Sequence, residues 1–328
     1  MKLAEGVELH DDTVGRLRCW LDTQHARGWL TPAGRASGIG SKDQFSCHFA
    51  AAAAQGFVAA DAAVLAMMRT HHPGELPLLS WDAQQPVAPV AIAPGRRLDL
   101  YAIVDSAERL EQVLAAGVKT VQLRIKTPEH PDAKWVEMLR SEIRRGVAAC
   151  AAAGAELFVN DHWQLAAEAG AGGVHLGQED LLALGDGGRA ELQATGMALG
   201  VSSHSLWELC RARTLSPRYI ACGPVWPTLT KAMPWRPQGL DNLSWWCRMA
   251  GVPIVAIGGI LGAEQVFESA RCGADGICIV RGLGERPETV VPRLQAALEV
   301  GRKAMADAPN LVAGPHPSLP GDARQAGG

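Results

Sequence analysis

The stretch ELFVNDHWQLAAEAGAGGVHLGQ, residues 156–178, contains one complete unit of the fold. Its two ends, ELFVND (156–161) and GVHLGQ (173–178), are short apolar runs typical of buried strands, and the residues between them include an amphipathic helical pattern. Strands that are apolar on both faces and separated by helices indicate a parallel sheet with helices on its outside.

The same unit repeats along the chain, so that eight strands are predicted. They are LDLYAIVD (98–105), TVQLRIK (120–126), ELFVND (156–161), GVHLGQ (173–178), ALGVSSH (198–204), YIACGPV (219–225), PIVAIGG (253–259) and GICIVRG (276–282). Eight units indicate closure into a (β/α)8 TIM barrel, an α/β fold. The rival fold, an open doubly wound sheet, would more often have a glycine-rich first turn, but the first turn here, IVDSAERL, has no GxGxxG.

Segments of different composition flank these units. Three prolines and alternating small residues in AQQPVAPVAIAPGRR predict a linker over 83–97. Residues 1–82 are expected to form a small, mostly helical N-terminal extension, and residues 98–304 the barrel. The Pro- and Gly-containing tail, 305–328, is expected to be disordered.

Composition narrows the partners and the compartment. Charged residues are 20% of the chain and the net charge is −3, so no basic excess indicates nucleic acid or an anionic membrane. No apolar run approaches the roughly 20 residues of a spanning helix, and the first residues lack a signal pattern, so we expect a soluble, cytoplasmic protein that acts on small molecules. The eight cysteines include no CxxC pair, and the sequence leaves open whether the chain is a homo-oligomer.

Active sites of such barrels lie at the C-terminal ends of the strands, and the second predicted strand ends in polar residues. Gln122, Arg124 and Lys126 alternate with Leu123 and Ile125, so all three are expected to point to one face. Polar residues that face a barrel interior are costly unless they bind something, and Arg with Lys suits a diphosphate. The alternative is a solvated strand end.

The third and fourth strands end near carboxylates. Asn160 and Asp161 close the third strand, and Asp180 follows the fourth. Carboxylates beside an Arg/Lys pair could be its salt-bridge partners, or they could bind Mg²⁺, which takes one or two carboxylates together with phosphate oxygens. Because a helix follows each Asp, either could instead be a helix N-cap.

Hydroxyl groups follow the fifth and sixth strands. Ser202, near the end of the fifth, can bond a ring nitrogen or a phosphate. The sixth strand leads into GPVWPTLTK (223–231), where Thr228, Thr230 and Lys231 form a candidate phosphate clasp. The continuation, AMPWRPQG, predicts a mobile lid, and the alternative is an ordinary surface loop.

The seventh strand indicates a second phosphate site, opposite the first. Gly258 and Gly259 at its end would let an anion approach main-chain N–H groups. Loops seven and eight of such barrels often bind phosphate in this way.

These motifs, in this order, resemble the thiamine phosphate synthase family. The resemblance covers about 98–285 and rests on QLRIK (122–126), NDHWQLAAEAGAGGVHLGQEDL (160–181), LGVSSHS (199–205), GPVWPTLTK (223–231), VAIGGI (255–260) and GADGICIV (273–280). It implies a transferase of thiamine biosynthesis that condenses hydroxymethylpyrimidine diphosphate with thiazole phosphate, or its carboxylated form, to thiamine phosphate and diphosphate. The implied cofactor is Mg²⁺.

The resemblance also implies a role for each candidate residue. The pyrimidine diphosphate would be bound by Gln122, Arg124, Lys126 and Asn160, the metal by Asp161 and Asp180, and the pyrimidine ring by Ser202. The thiazole phosphate and the diphosphate would be contacted by Thr228, Thr230 and Lys231, and the thiazole phosphate also by main-chain groups of Gly259, Ile279 and Val280. The catalytic cations would be Arg124, Lys126 and Lys231.

Two positions depart from the family's pattern. The family usually has Glu where this chain has Ile125, but that position is expected to face away from the site. It usually has Ser where this chain has Val280, where a main-chain contact would survive the loss of the hydroxyl.

A shorter resemblance lies in the extension. Residues 35–68 resemble the C-terminal part of hydroxymethylpyrimidine phosphate kinases, through a glycine-rich stretch and an alanine-rich helix pair. The segment is only part of such a fold, so we expect a relic that packs on the barrel or mediates assembly.

Three other functions compete with the synthase. A thiazole tautomerase is a similar barrel that binds thiazole phosphate without joining two rings, and a non-catalytic binding barrel would need no metal carboxylates. Both are disfavoured by the complete diphosphate half-site, which consists of Arg124, Lys126, Asp161 and Asp180. A phosphosugar isomerase would need an acid–base pair that the sequence does not show.

Overall fold

A closed barrel of eight parallel strands forms the larger part of the computed structural model, which describes residues 1–13, 15–34, 40–90, 95–228, 234–305 and 314–320. The barrel elements are β6 (Asp99–Val104), α3 (Ala107–Ala115), β7 (Thr120–Leu123), α4 (Ala133–Ala153), β8 (Glu156–Asn160), α5 (Trp163–Glu168), β9 (Gly173–Leu176), α6 (Gln178–Ala183), α7 (Gly185–Ala194), β10 (Ala198–Ser203), α8 (Leu206–Arg213), β11 (Tyr219–Cys222), α9 (Gly239–Met249), β12 (Ile254–Ala256), α10 (Ala263–Arg271), β13 (Gly276–Ile279) and α11 (Pro287–Ala304). The extension has β1 (Lys2–Ala4), β2 (Val7–Asp11), β3 (Leu17–Asp22), β4 (Arg27–Thr31), α1 (Lys42–Ala54), α2 (Ala59–His71) and β5 (Leu78–Leu79).

The sheet closes because β13 pairs in parallel with β6, and every other barrel strand pairs with its neighbours in chain order. All eight predicted strands and the TIM-barrel fold are confirmed. Each observed strand ends one to three residues before its predicted end, so the polar residues at the predicted ends lie mostly in the loops that follow. The Arg124–Lys126 segment is one such case.

Aromatic rings fill the barrel interior. Tyr101, Phe158 and Tyr219 are buried there, and Tyr219 packs edge-on against both of the other rings. Gly200 on the strand beside Tyr219 leaves room for its ring, since a Cβ at Gly200 would lie 2.3 Å from a ring carbon. Large and small residues on neighbouring strands thus interlock into a packed core, as is usual in this fold.

The N-terminal extension is a five-stranded antiparallel sheet, ordered β1-β2-β3-β4-β5, that packs with α1 and α2. The prediction of a mostly helical extension missed this sheet. Its signal is present in β3, where Leu17, Cys19 and Leu21 are buried and alternate with more exposed residues. The predicted alanine-rich helix pair is present as α1 and α2.

Helix α8 of the barrel is enclosed by the extension, and all eight of its residues are buried. A carboxylate oxygen of Asp61 in α2 accepts a hydrogen bond from the main-chain N–H of Trp207, with 3.1 Å between the atoms. The guanidinium of Arg213 donates to the carbonyl of Leu76 at 2.9 Å. The polar residues of α8 therefore find partners in the extension, where an ordinary barrel helix would expose them to water.

The segments on either side of the barrel carry no regular structure of their own. Residues 83–90 and 95–97 contain no helix or strand. Beyond α11, residues 314–320 pack against the barrel with Ser318 and Leu319 buried, so the prediction of a disordered tail is wrong for these seven residues. Composition shows that such a segment cannot fold alone, but it does not show whether another part of the chain offers a surface to it. No helix in the described ranges is both long and apolar enough to cross a membrane.

Candidate active site

The residues after β7 are placed differently from the prediction. The strand ends at Leu123, and the main-chain N–H of Arg124 makes a last bond to the carbonyl of Val104, at 2.7 Å. Arg124 is half-buried and Lys126 is exposed. The argument from alternating faces therefore holds for Gln122 alone, because the two cations lie in the loop beyond the strand.

Gln122 begins a hydrogen-bonded chain that crosses the barrel interior. Its Nε2 donates to the Tyr101 hydroxyl at 3.0 Å, and the Tyr101 and Tyr219 hydroxyls are 2.6 Å apart. The Tyr219 hydroxyl is 2.7 Å from Nδ1 of His175, whose Nε2 is 2.8 Å from the Ser202 hydroxyl. All members except Ser202 are at least nine-tenths buried, so the chain links the centre of the barrel to one residue of the predicted site.

The direction of the chain follows from its donors. Burial, followed by the positive charges of Arg124 and His204, lowers the pKa of His175 to about 4, so its ring is neutral near pH 7 and has one donor nitrogen. Because the Gln122 amide nitrogen only donates, the Tyr101 proton goes to Tyr219, and the Tyr219 proton goes to Nδ1. The Nε2–H of His175 then donates to Ser202, which leaves the hydroxyl hydrogen of Ser202 for another acceptor.

His175 is the residue that the sequence analysis missed. It lies in the quoted GVHLGQ motif, two residues after Gly173, on a strand whose residues are all buried. A histidine in such an apolar run indicates buried hydrogen-bond partners, but spacing does not reveal that Tyr219, 44 residues later, is one of them.

The two carboxylates lie within electrostatic reach of each other. Burial and the nearby charge of Asp180 raise the pKa of Asp161, while His162 and Arg124, in that order, and a bond from Asn160 lower it. Asp161 is not a side-chain N-cap, and its backbone has the left-handed φ of 65°, which is uncommon for a residue with a side chain. Asp180 does act as a cap, since its Oδ2 accepts from the N–H of Gly177 at 3.0 Å.

Two carboxylates fit an ion that phosphate oxygens complete. Within the described ranges, no group of three or more His, Cys, Asp or Glu side chains is arranged to hold a metal. Mg²⁺ usually binds one or two carboxylates together with substrate phosphates and water, and a cation there would offset the repulsion that raises the Asp161 pKa. The donor set is therefore compatible with Mg²⁺ and not with an all-protein metal cage.

The loops after β11 and β12 are bonded together at the barrel mouth. The N–H groups of Val225 and Trp226 donate to the carbonyls of Ile257 and Gly258, at 2.8 Å and 3.1 Å. Gly258 and Gly259 have φ values of 95° and 72°, and a Cβ on either would lie within 2.6 Å of the Pro224–Trp226 segment. The glycine pair is thus required by the close approach of two loops, whether or not it also binds an anion.

Of the remaining predicted residues, the described ones follow β11 or lie at the end of β13. Thr228 is half-buried at the edge of the described chain, and Thr230 and Lys231 lie outside the described residues. Ile279 ends β13 with its side chain in the apolar core, and Val280, 39% exposed, follows it. Because the Ile279 side chain is committed to the core, only its main chain is left for a ligand.

Residues 100–283 match the family model of thiamine monophosphate synthase, over the same strands and loops that form this mouth. The chain belongs to this family. The family match confirms the resemblance in the sequence, and it leaves residues 1–99 and 284–328 outside the matched region.

Named relatives agree with the family match. The thiamine-phosphate synthase of Rhizobium etli is 46% identical over 194 residues, which cover 58% of this chain and 90% of that protein. The thiamine-phosphate synthase of Neisseria meningitidis serogroup A is 45% identical over 202 residues, 61% of this chain and 94% of that protein. Among solved structures, the thiamine phosphate pyrophosphorylase of Pyrococcus furiosus is similar with a TM-score of 0.53 at 26% identity, covering 63% of this chain and 98% of the other.

Ile125, where this chain departs from the pattern of the thiamine monophosphate synthase family, packs against the apolar core of the barrel. That contact is compatible with the expectation that the side chain faces away from the site.

Proposed function

We propose that this chain is a thiamine phosphate synthase. It joins hydroxymethylpyrimidine diphosphate to thiazole phosphate. The bond between the pyrimidine's methylene carbon and the diphosphate oxygen breaks, a bond from the thiazole nitrogen to that carbon forms, and diphosphate leaves. The observation that carries the proposal is the match of residues 100–283 to the thiamine monophosphate synthase family, a region that includes Arg124, Lys126, Asp161 and Asp180, the proposed diphosphate half-site.

The cations act on the leaving group. Because Arg124 is half-buried, water screens its guanidinium only in part. Its electrostatic attraction to the diphosphate, which gains negative charge as it departs, is therefore strong. Lys126, more exposed in the same loop, and Lys231 would supply further positive charge. Gln122 and Asn160 would complete the diphosphate side from the ends of β7 and β8.

Asp161 and Asp180 would hold Mg²⁺, which when bound supplies positive charge to the departing diphosphate. Asp180 already uses one oxygen on the N–H of Gly177, which fixes the carboxylate in orientation. Asp161 is held in place by a strained backbone and would gain the most from a cation, because its charged form is disfavoured without one.

Ser202 would orient the pyrimidine. The buried chain directs the Nε2–H of His175 onto the Ser202 oxygen, so the serine presents its own hydrogen to a ring nitrogen. A pyrimidine held by its ring can spread the positive charge that forms on its methylene carbon. No protein nucleophile is needed, since the thiazole nitrogen attacks that carbon directly.

The thiazole phosphate would lie on the opposite side of the mouth. Thr228, Thr230 and Lys231 would contact its phosphate from the β11 loop, and main-chain groups of Gly259, Ile279 and Val280 would contact it from the last two loops. The bonds between the β11 and β12 loops support this part of the proposal, since they bring the residues just before Thr228 against Gly258 and Gly259.

A coupling assay tests the function. Purified protein, both substrates and Mg²⁺ are combined with and without EDTA, and thiamine phosphate is read by fluorescence after oxidation. We expect metal-dependent product, and we expect Asp161→Ala to lower turnover by about a hundredfold or more with unchanged circular dichroism. Absence of product from folded protein that still binds thiazole phosphate would instead favour the tautomerase or the binding barrel. Full activity of Asp161→Ala would contradict the metal assignment.

A further inference from the structure

The connection between β11 and α9 returns to bond its own beginning. The main-chain N–H of Gln238 donates to the carbonyl of Pro224 at 2.7 Å, and that of Gly239 donates to the carbonyl of Val225 at 3.0 Å. We call these four residues the neck. Thr228 follows Val225 by three residues, in the segment whose two ends the neck joins.

Gln238 is the central residue of the neck, because it is completely buried and each of its polar groups is bonded. Its Nε2 donates to the carbonyl of His204 at 2.6 Å, and its Oε1 accepts from Nδ2 of Asn242 at 2.8 Å. Its main-chain carbonyl lies 2.8 Å from Nε2 of His316, which must be the donor. A buried carbonyl that loses its donor destabilises the arrangement around it.

His316 belongs to residues 314–320, which we call the strap. Its main-chain N–H donates to Oδ1 of Asn242 at 2.8 Å, and its carbonyl accepts from Nδ2 of the same residue at 3.1 Å. Two residues later, the carbonyl of Ser318 accepts from the N–H of Arg236 at 2.8 Å, and Leu319 joins the apolar core. The strap thus bonds the chain just before the neck, the neck itself and the first turn of α9.

The N-terminal extension reaches the same place through a row of rings. His25, in the turn between β3 and β4, stacks on Trp207 of α8 with ring centres 5.6 Å apart. Trp207 contacts Trp235 at 5.5 Å, and Trp235 stacks on His204 at 5.2 Å. The residues before the neck are therefore supported by the extension on one side and by the strap on the other.

We propose that the strap is a positioning element for the thiazole phosphate side of the site, with His316 as its positioning residue. By donating to the Gln238 carbonyl, His316 keeps the neck closed and Thr228 in place. The strap lies outside residues 100–283, the region that matches the family model. The proposal rests on the proposed function for the identity of the ligand and on the contacts above for everything else.

Two truncations of the full chain test the proposal. The first ends at residue 313 and removes the strap. The second ends at residue 320 and is the matched control, because it removes only the residues beyond the strap. For the first, we expect the KM and the calorimetric Kd for thiazole phosphate to rise about tenfold, while the KM for pyrimidine diphosphate and kcat stay within about threefold. The control should match the full chain. Equal rises in both KM values, or no rise in either, would overturn the proposal.

Two substitutions test His316 itself without shortening the chain. His316→Gln keeps a side-chain N–H donor, whereas His316→Leu removes it. We expect the leucine variant to raise the KM for thiazole phosphate about fivefold, and the glutamine variant to restore it to within about twofold of the full chain. Identical values for the two variants would contradict the role of the donor.

Hydrogen exchange of residues 234–242 measures whether the main-chain bonds of the neck are formed, and it needs no substrate. The chain that ends at 313 should exchange faster at Gln238 and Gly239 than the chain that ends at 320. Unchanged exchange would overturn the proposal even if affinities changed. If the full chain made no thiamine phosphate, the proposed function would fail, while the exchange rates would still decide whether the strap closes the neck.

Discussion

Ser202, at the end of β10, is held from inside the barrel, whereas the neck of the β11–α9 connection, which follows the neighbouring strand, is held from outside it. Ser202 ends a chain of buried side chains that all lie on barrel strands. The neck is held by the strap and, through Trp235 and Trp207, by the extension. The comparison teaches that the bonds that hold Ser202 all come from the region matched by the family model, whereas the contacts that hold the neck also draw on the strap and the extension, which lie outside that region.

The largest expected effect is on one of the two substrates that the mouth binds, the pyrimidine diphosphate. Arg124→Ala should lower kcat/KM for pyrimidine diphosphate by about a hundredfold to a thousandfold, because a partly buried charge-assisted contact to the diphosphate is lost. The Kd for thiazole phosphate should change by less than about threefold. Steady-state kinetics and calorimetry measure the two quantities, and Arg140→Ala on α4 is the control. Equal weakening of both substrates would show that the mouth is not divided into two sites.

The next effect concerns the contact between the extension and α8, and it depends on pH. Burial raises the pKa of Asp61 from 3.8 to about 7, so the folded protein keeps a proton that the unfolded chain has lost. The buried proton should therefore contribute its full stabilisation below about pH 4. The free energy of unfolding should then fall as the pH rises from about 4 to about 7, by roughly 4 kcal/mol at most. Asp61→Asn keeps an acceptor for the Trp207 N–H and should lack this fall.

Urea unfolding at pH 5 and pH 8 measures that difference. The parent chain should lose stability relative to Asp61→Asn between the two pH values, and the exposed Asp43→Asn of α1 should follow the parent. Parallel behaviour of all three chains would mean that Asp61 carries no buried proton.

A smaller effect concerns the buried hydrogen-bonded chain that holds Ser202 from inside the barrel. His175→Leu breaks the chain between Tyr219 and Ser202, so Ser202 loses the donor that orients it. We expect about a tenfold loss in kcat/KM for pyrimidine diphosphate and an unchanged Kd for thiazole phosphate. A loss confined to thiazole phosphate would reverse the assignment of the hydrogen-bonded chain to the pyrimidine side.

The smallest effect concerns Val280, one of the two departures from the family. Val280→Ser adds back the hydroxyl at an exposed position, and the proposed contact is made by the main chain. The KM for thiazole phosphate should stay within about twofold. A gain of tenfold or more would show that the side chain at this position contacts the ligand.

The barrel could be predicted from the sequence because each strand is marked locally. Apolar runs separated by amphipathic helices recur eight times, and each strand pairs with its sequence neighbours except where β13 and β6 close the barrel, so little distant information is needed. The residues at which the strands end could not be predicted as closely, because Arg124 and Lys126 continue the alternation of β7 beyond its last ladder bond. Alternation alone cannot show where a strand leaves the sheet.

The supports of the site could not be predicted in the same way. The bond between Tyr101 and Tyr219 joins residues 118 positions apart, and its register depends on the closure of the whole barrel. The strap depends on bonds to Gln238, Asn242 and Arg236, which no pattern in the tail reveals. The sheet of the extension is a different case, because the alternation in β3 was readable and was missed.

The enclosure of α8 has a consequence for how the chain folds during synthesis. Asp61 and the Trp207 N–H are 146 residues apart, so the extension leaves the ribosome well before the helix that it covers. At usual synthesis rates the delay is about 7 to 30 seconds. During that time the extension has no partner for the buried carboxyl of Asp61 and for the backbone carbonyls that Arg211 and Arg213 later bond. The extension can therefore complete its buried hydrogen bonds only after α8 has been synthesised.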